Sequence, residues 1–170
     1  MVAELYIGVG SNVDPAHHVP RALELLVERL EVLACSTLYW SEPLERPEQA
    51  PFLNGVWRAR SARPPRELKF ELLRPLEREL GRVRGEDRHA ARPIDLDLLL
   101  YDELVLDEPD LVLPDPEIPR RSFLWRPLLE LDPTLEARLG APLEDLPADL
   151  RPDPELTRSL RGALDPTPNP

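Results

Sequence analysis

A ferredoxin-like α+β sandwich, a mostly antiparallel sheet covered by helices, is the fold class this sequence predicts, and three observations predict it. Segments of period-two apolar alternation and segments of helical periodicity follow one another in the order β-α-β-β-α-β. At 170 residues the chain is long enough for one domain with a substantial core. No internal repeat or composition shift divides it before a proline-rich C-terminal extension that begins at about residue 132. Residues 1–170 are therefore expected to form a single domain. A fold of this kind hosts many functions and by itself indicates none.

Taken in order, Ala3 to Val9 reads as a strand that ends at Gly10-Ser11-Asn12. From about Pro15 the residues Leu23, Leu26, Val27 and Leu30 recur at helical spacing, with Asp14 placed to cap the helix ahead of Pro15. Leu33 to Trp40 reads as a second strand, Ser41 to Pro51 as a proline-broken loop, and Phe52 to Ala62 as a third strand. A helix is expected from Pro65 to Leu80, ended by Gly81. The strand around Asp95 follows, with Glu103 to Leu106 as a short hairpin partner for it. Pro119 to Leu131 reads as a helix that Pro127 should kink or break. In the extension, short helices are expected around Pro142 to Leu150 and Asp153 to Leu160, ahead of a frayed tail from Asp165 to Pro170.

Charge and composition exclude several roles. A net charge of −11 argues against general nucleic-acid or membrane-surface binding, because phosphate backbones and anionic lipids attract basic surfaces. Cys35 is the single cysteine, so there is neither an intrachain disulfide nor a cysteine cluster for zinc. MVAELYIGVGS lacks a basic signal-peptide region, and no apolar run reaches membrane-spanning length, so a cytoplasmic soluble protein is expected. Oligomeric state is not legible in the sequence.

The stretch from Gly81 to Tyr101, GRVRGEDRHAARPIDLDLLLY, concentrates the chemistry. Side chains alternate along a strand, so Asp95 and Asp97 share one face while Ile94, Leu96, Leu98 and Leu100 form an apolar one. Two converging carboxylates repel unless a cation lies between them. Oxygen ligands of this kind suit Mg²⁺, which usually takes one or two carboxylates together with substrate phosphates. Upstream, Arg82, Arg84, Arg88 and Arg92 lie in a segment without regular periodicity, where guanidinium forks can each take two phosphate oxygens. The plainer alternative is a solvent-facing strand with surface ion pairs of little worth. Paired acids, four arginines and a proline-marked strand entry together favour a site for a polyphosphate and its metal.

Six separated segments then fall in a familiar order: Tyr6 to Asn12, Tyr39 to Pro43, Phe52-Leu53-Asn54, Gly81 to Arg84, Arg92 to Asp97, and Arg121-Ser122-Phe123. They resemble the 6-hydroxymethyl-7,8-dihydropterin pyrophosphokinases of folate biosynthesis over about Ala3 to Leu131. The resemblance implies transfer of the terminal pyrophosphate of ATP to the pterin hydroxymethyl group, with release of AMP. It implies two Mg²⁺ ions on Asp95 and Asp97, and Arg82 and Arg92 as the catalytic arginines. It assigns Glu77, Arg84, Arg88, Asp115 and Arg121 to ATP, and Ser41, Leu44, Phe52, Asn54 and Phe123 to the pterin. Asn54 would read the amide edge of the heterocycle, and the two phenylalanines would stack on its faces. Read singly, Phe52 and Phe123 are core residues, Asn54 a turn residue, Glu77 the polar face of a helix, and Arg121 a surface group.

Two positions depart from the family pattern. His89-Ala90-Ala91 separates Arg88 from Arg92 where the family often carries Trp-Gly-Pro, and Asp115 stands where it usually carries histidine. An aspartate there repels a triphosphate unless it turns away or meets a metal. Two other readings stand beside it: a Mg²⁺-dependent nucleotidyltransferase, which would use the paired aspartates and release pyrophosphate, and a catalytically silent domain on the same sandwich that binds nucleotide or pterin without needing them.

Overall fold

Strand β1 (Ala3–Ser11) is almost wholly buried and sits inside the sheet, antiparallel to β4 (Phe52–Ser61) on one side and to β5 (Asp95–Tyr101) on the other. The computed structural model describes residues 1–43, 45–140 and 149–165. Beyond β4 lie β3 (Leu38–Ser41) and then β8 (Arg151–Asp153), giving the order β5-β1-β4-β3-β8, while β2 (Glu31–Cys35) also pairs with β4. All of these pairings are antiparallel, as expected for the fold class.

The single strand expected over Leu33 to Trp40 is two. Ser36 marks the break: its N–H still donates to Val56 O (2.9 Å), but its hydroxyl accepts from Val56 N (2.9 Å) and donates to Thr37 O (2.8 Å), so a side-chain oxygen takes the place of a backbone carbonyl in the pairing. Gly55 faces this break, and a Cβ there would lie 2.6 Å from Leu38 Cδ2.

Helices cover both faces of the sheet. On one, α1 (Pro15–Val27), the stretch from α2 (Pro65–Glu67) through a widened π turn (Leu68–Leu73) to α3 (Arg74–Glu79), and α6 (Pro154–Leu164) pack with Leu5, Ile7, Val9, Leu96 and Leu98. On the other, Trp125 and Leu128 of α4 (Ser122–Leu131) and Leu135 of α5 (Leu135–Leu139) pack with Tyr6, Val56, Leu99 and Leu100. The π turn, in which Arg74 N bonds Lys69 O, lies just before Pro75, which has no N–H to continue the usual ladder. Pro127 does not end α4, and is itself buried.

Several expectations are corrected. Leu100 packs on the α4 face rather than with Ile94, Leu96 and Leu98, because a bulge sets Ile7 opposite Leu98 but Tyr6 opposite Leu100. Glu103 to Leu106 is not a hairpin partner of β5. Asp102 adopts a left-handed conformation (φ 43°) and turns the chain away, so that β6 (Leu106–Glu108) pairs with β7 (Leu111–Leu113) in a separate two-stranded sheet. Asp14 does not cap α1 through its carboxylate: it too is left-handed (φ 44°), and its backbone carbonyl accepts from His17 and His18 N.

The C-terminal helix does form. Asp153 caps it through its side chain on Leu156 N (3.0 Å), and Thr157 Oγ1 ties it to the sheet by accepting from Leu38 N (2.9 Å). The helix expected around Pro142 to Leu150 falls largely outside the described residues, as does the tail beyond Asp165.

Candidate active site

Three strands set the floor of the site. Gly10 of β1 stands opposite Asn54 of β4 on one side and Asp95 of β5 on the other, and Gly8 stands opposite Asp97. Residues directly opposite in a sheet share a face, so Asn54, Gly10 and Asp95 form one row about 10 Å wide, with Asp97 in the next row. Glycine keeps that floor open. A Cβ at Gly10 would lie 3.3 Å from Asn54 Oδ1, and one at Gly8 would lie 3.3 Å from Leu99 Cδ1 and 3.4 Å from Leu124 Cδ2. Above the floor is a cavity of about 340 Å³, walled by Ser41, Phe52, Arg92, Arg121, Phe123 and the acids Glu42, Glu45 and Glu117.

At the pterin-expected end, Asn54 is buried and its Nδ2 donates to Ser41 Oγ (2.7 Å), which fixes the amide plane. Phe52 and Phe123 are half-buried cavity walls and belong to neither core cluster, so core packing does not account for them. Leu44 lies outside the described residues.

At the opposite end the two aspartates have opposite surroundings. Asp95 Oδ1 accepts from Arg82 Nη1 and Oδ2 accepts from Arg92 Nη1 (2.5 Å). Burial pushes its carboxyl up, but Arg82 and Arg92 outweigh burial and hold it below the usual carboxylate range. Asp97 has no such partner among the described residues. It keeps an open face to the cavity, yet it sits at the base of a protein-walled depression. Although Asp97 is exposed by surface area, the crowding of protein around it, with repulsion from Asp95, Asp115 and Glu77, pushes its carboxyl up. The charged form of Asp97 therefore lacks a counter-ion. Among the described residues no group of three or more His, Cys, Asp or Glu side chains is arranged to hold a metal unaided. Two carboxylates on an open floor fit Mg²⁺, which completes its oxygen shell from substrate and water, and they do not fit a metal that needs an all-protein cage.

Glu77 lies behind the floor rather than on it. Its carboxylate is buried at 1% exposure, accepts from Leu96 N (2.8 Å) and Arg82 Nη1 (2.9 Å) through Oε1, and from Arg84 Nη2 (2.7 Å) through Oε2. Burial raises its carboxyl, with Asp95 acting in the same direction. Arg82 is thus clamped between Glu77 and Asp95, and these acids outweigh burial and raise its guanidinium. Glu77, Arg82, Arg84, Arg88 and Asp115 do not line the cavity, whereas Arg92 and Arg121 do. Asp115 turns its Oδ1 to Glu117 N (2.8 Å), and burial followed by repulsion from Glu117 raises its carboxyl. Arg121 Nε pairs with Glu117 (2.8 Å), and the Arg88 carbonyl accepts from Arg92 Nη2.

Sequence reasoning missed the floor glycines and the walls contributed by the loop between β3 and β4, namely Glu42, Pro43, Glu45, Arg46 and Gln49. The alternation Gly8-Val9-Gly10 carried a signal, since glycine at every second strand position strips side chains from one face. In the loop the sequence signal covered only its start, at Ser41 to Leu44; the rest carried none, because its placement rests on contacts with distant residues.

The sequence matches the family model described as 7,8-dihydro-6-hydroxymethylpterin-pyrophosphokinase over residues 6–133. It is 36% identical over 135 residues to a 2-amino-4-hydroxy-6-hydroxymethyldihydropteridine pyrophosphokinase of Aquifex aeolicus, covering 79% of this chain and 83% of that protein. It is 37% identical over 150 residues to the protein of the same name in Pseudomonas aeruginosa, covering 86% and 91%. It is also 35% identical over 129 residues to the folic acid synthesis protein fol1 of Pneumocystis carinii, covering 75% of this chain and 17% of that much longer protein.

Proposed function

The chain belongs to the 7,8-dihydro-6-hydroxymethylpterin-pyrophosphokinase family, and from that premise we propose how the groups around its cavity divide the reaction. It is an ATP-dependent pyrophosphokinase of folate biosynthesis acting on small molecules. The pterin hydroxymethyl oxygen attacks the β-phosphorus of ATP and gives up its proton to solvent, the bond from that phosphorus to the oxygen shared with the α-phosphate breaks, and AMP leaves with the electron pair.

In our reading Asn54 orients the pterin edge, held in register by Ser41, while Phe52 and Phe123 enclose the ring. Arg92 and Arg121 meet the phosphates inside the cavity. Arg82, Arg84 and Arg88 stand outside the cavity wall and add positive charge near the phosphates, with Glu77 fixing Arg82 and Arg84 from behind the floor. Asp115 borders the nucleotide side. Asp95 and Asp97 would hold Mg²⁺, two ions in this proposal, which when bound neutralises charge on the transferred group. The protein's own share is positioning: two substrates held on one rigid floor, with guanidinium groups placed before reaction begins.

The observation that carries this reading is the row Asn54, Gly10, Asp95 across three paired strands, beside Gly8 and Asp97, under a single cavity. We further propose that residues 1–170 act as one domain, the extension packing back through α6. A cytoplasmic setting belongs to the same proposal and agrees with a lone buried free cysteine; no helix among the described residues is long and apolar enough to cross a membrane. The test is product analysis with Mg-ATP and 6-hydroxymethyl-7,8-dihydropterin. AMP and pterin diphosphate should form one to one and only with both substrates. Pyrophosphate release would point to nucleotidyl transfer, and binding without turnover to a silent domain.

A further inference from the structure

Two loops face each other across the cavity mouth, 42–51 between β3 and β4, and 80–94 between α3 and β5. Their outermost contacts are an ion pair between Arg46 and Asp87 (2.6 Å) and a contact between the His89 ring and the Glu45 carboxylate (2.7 Å). All four side chains are 43–56% exposed, so these pairs contribute little. The inner contacts differ in kind. Gln49 Nε2 donates to His89 O (2.7 Å), and Gln49 Oε1 accepts from Asn12 Nδ2 (3.0 Å). Asn12 is buried at 6% exposure, and its Oδ1 accepts from Arg92 N (2.7 Å). Asn12 N and Val13 N in turn donate to Arg92 O (3.0 and 3.2 Å). The backbone of Arg92 is therefore held on both sides by the end of β1.

That hold depends on which way the Asn12 amide points. Its Oδ1 meets Arg92 N only while its Nδ2 has acceptors on the far side. Those acceptors are Gln49 Oε1 and, at a longer 3.3 Å, Ala50 O. We propose that Gln49 is a positioning residue for the pyrophosphoryl transfer: by fixing the Asn12 amide and bonding His89 O, it sets the backbone from which Arg92 reaches the phosphates. A loop on the pterin side thereby determines the placement of an arginine on the ATP side. This inference rests on the proposed role of Arg92.

A double-mutant cycle under single-turnover conditions tests it. Gln49→Ala should lower the transfer rate at saturating substrates by about fivefold or more, the loss expected for about one hydrogen bond in the positioning chain. Binary affinity for Mg²⁺ with a non-hydrolysable ATP analogue should stay within about twofold. In an Arg92→Ala background the same substitution should change the rate by less than about twofold, because the group it positions is gone. Asn12→Asp keeps the acceptor for Arg92 N and loses the donor to Gln49, and should show the same non-additivity. Equal losses in both backgrounds, or a pterin KM that rises alike in both, would assign Gln49 to direct substrate contact and overturn the proposal. An unsubstituted, folded chain without transfer activity would overturn the functional reading and this inference with it.

Discussion

Replacing Glu77 should cost more stability than replacing any exposed acid of this chain. Leu96 sits on β5, an edge strand of the main sheet, and its N–H is taken up by Glu77 Oε1 rather than by a neighbouring strand. Glu77→Ala orphans that N–H, a penalty of about 1–3 kcal/mol. It also removes one of the two acids that flank Arg82, which is only 10% exposed but keeps Asp95. Arg84 is 49% exposed and its loss of a partner adds little. The sum is about 3 kcal/mol, which for a chain of this size lowers Tm by roughly 6–12 °C. Glu77→Gln keeps an acceptor for Leu96 N and should lose no more than about 1 kcal/mol. Urea unfolding followed by circular dichroism measures both variants. A loss below about 1 kcal/mol for the alanine variant, or equal losses for both, would refute the assignment of Glu77 as the acceptor that completes the β5 edge.

Two further outcomes follow from single contacts. Asp153 caps α6 through Leu156 N and also accepts from Trp40 Nε1 (3.1 Å), so Asp153→Ala should lower the unfolding free energy by about 1–2 kcal/mol, read from the same urea curves. Cys35 is buried at 4% exposure and burial pushes its thiol up to about 12. A thiol reagent at pH 8 should therefore label the native chain only as fast as it opens, with urea accelerating the reaction; immediate labelling in buffer would contradict the packing of β2.

The strands that carry the floor were legible because each announces itself locally. β1, β4 and β5 are apolar, period-two and bounded by Gly, Pro or Asn, and the spacing of Asp95 and Asp97 alone puts them on one face. What escaped depends on partners far along the chain. The break at Ser36 is marked by a hydroxyl bonded to Val56, the bulge that turns Leu100 is a mismatch between two strands, and β8 becomes a strand only beside β3. The hairpin expected at Glu103 failed because a left-handed aspartate, Asp102, redirected the chain. In the site, the arginine-rich segment was legible by composition. That Asp95 takes two of its guanidinium groups while Asp97 takes none among the described residues was not, since sequence spacing carries no distance to Arg82 or Arg92.

The Asp97 carboxyl, without an ion-pair partner among the described residues, is where fold and proposed chemistry meet, and AMP formation by Asp97→Asn tests it most directly. The substitution keeps the shape of the side chain and relieves repulsion from Asp95, Asp115 and Glu77, so Tm should hold or rise. With saturating Mg-ATP and 6-hydroxymethyl-7,8-dihydropterin, the rate should nevertheless fall by roughly a hundredfold or more, the scale of a lost transition-state charge contact. A folded variant turning over within about tenfold of the unsubstituted protein would remove Asp97 from the site.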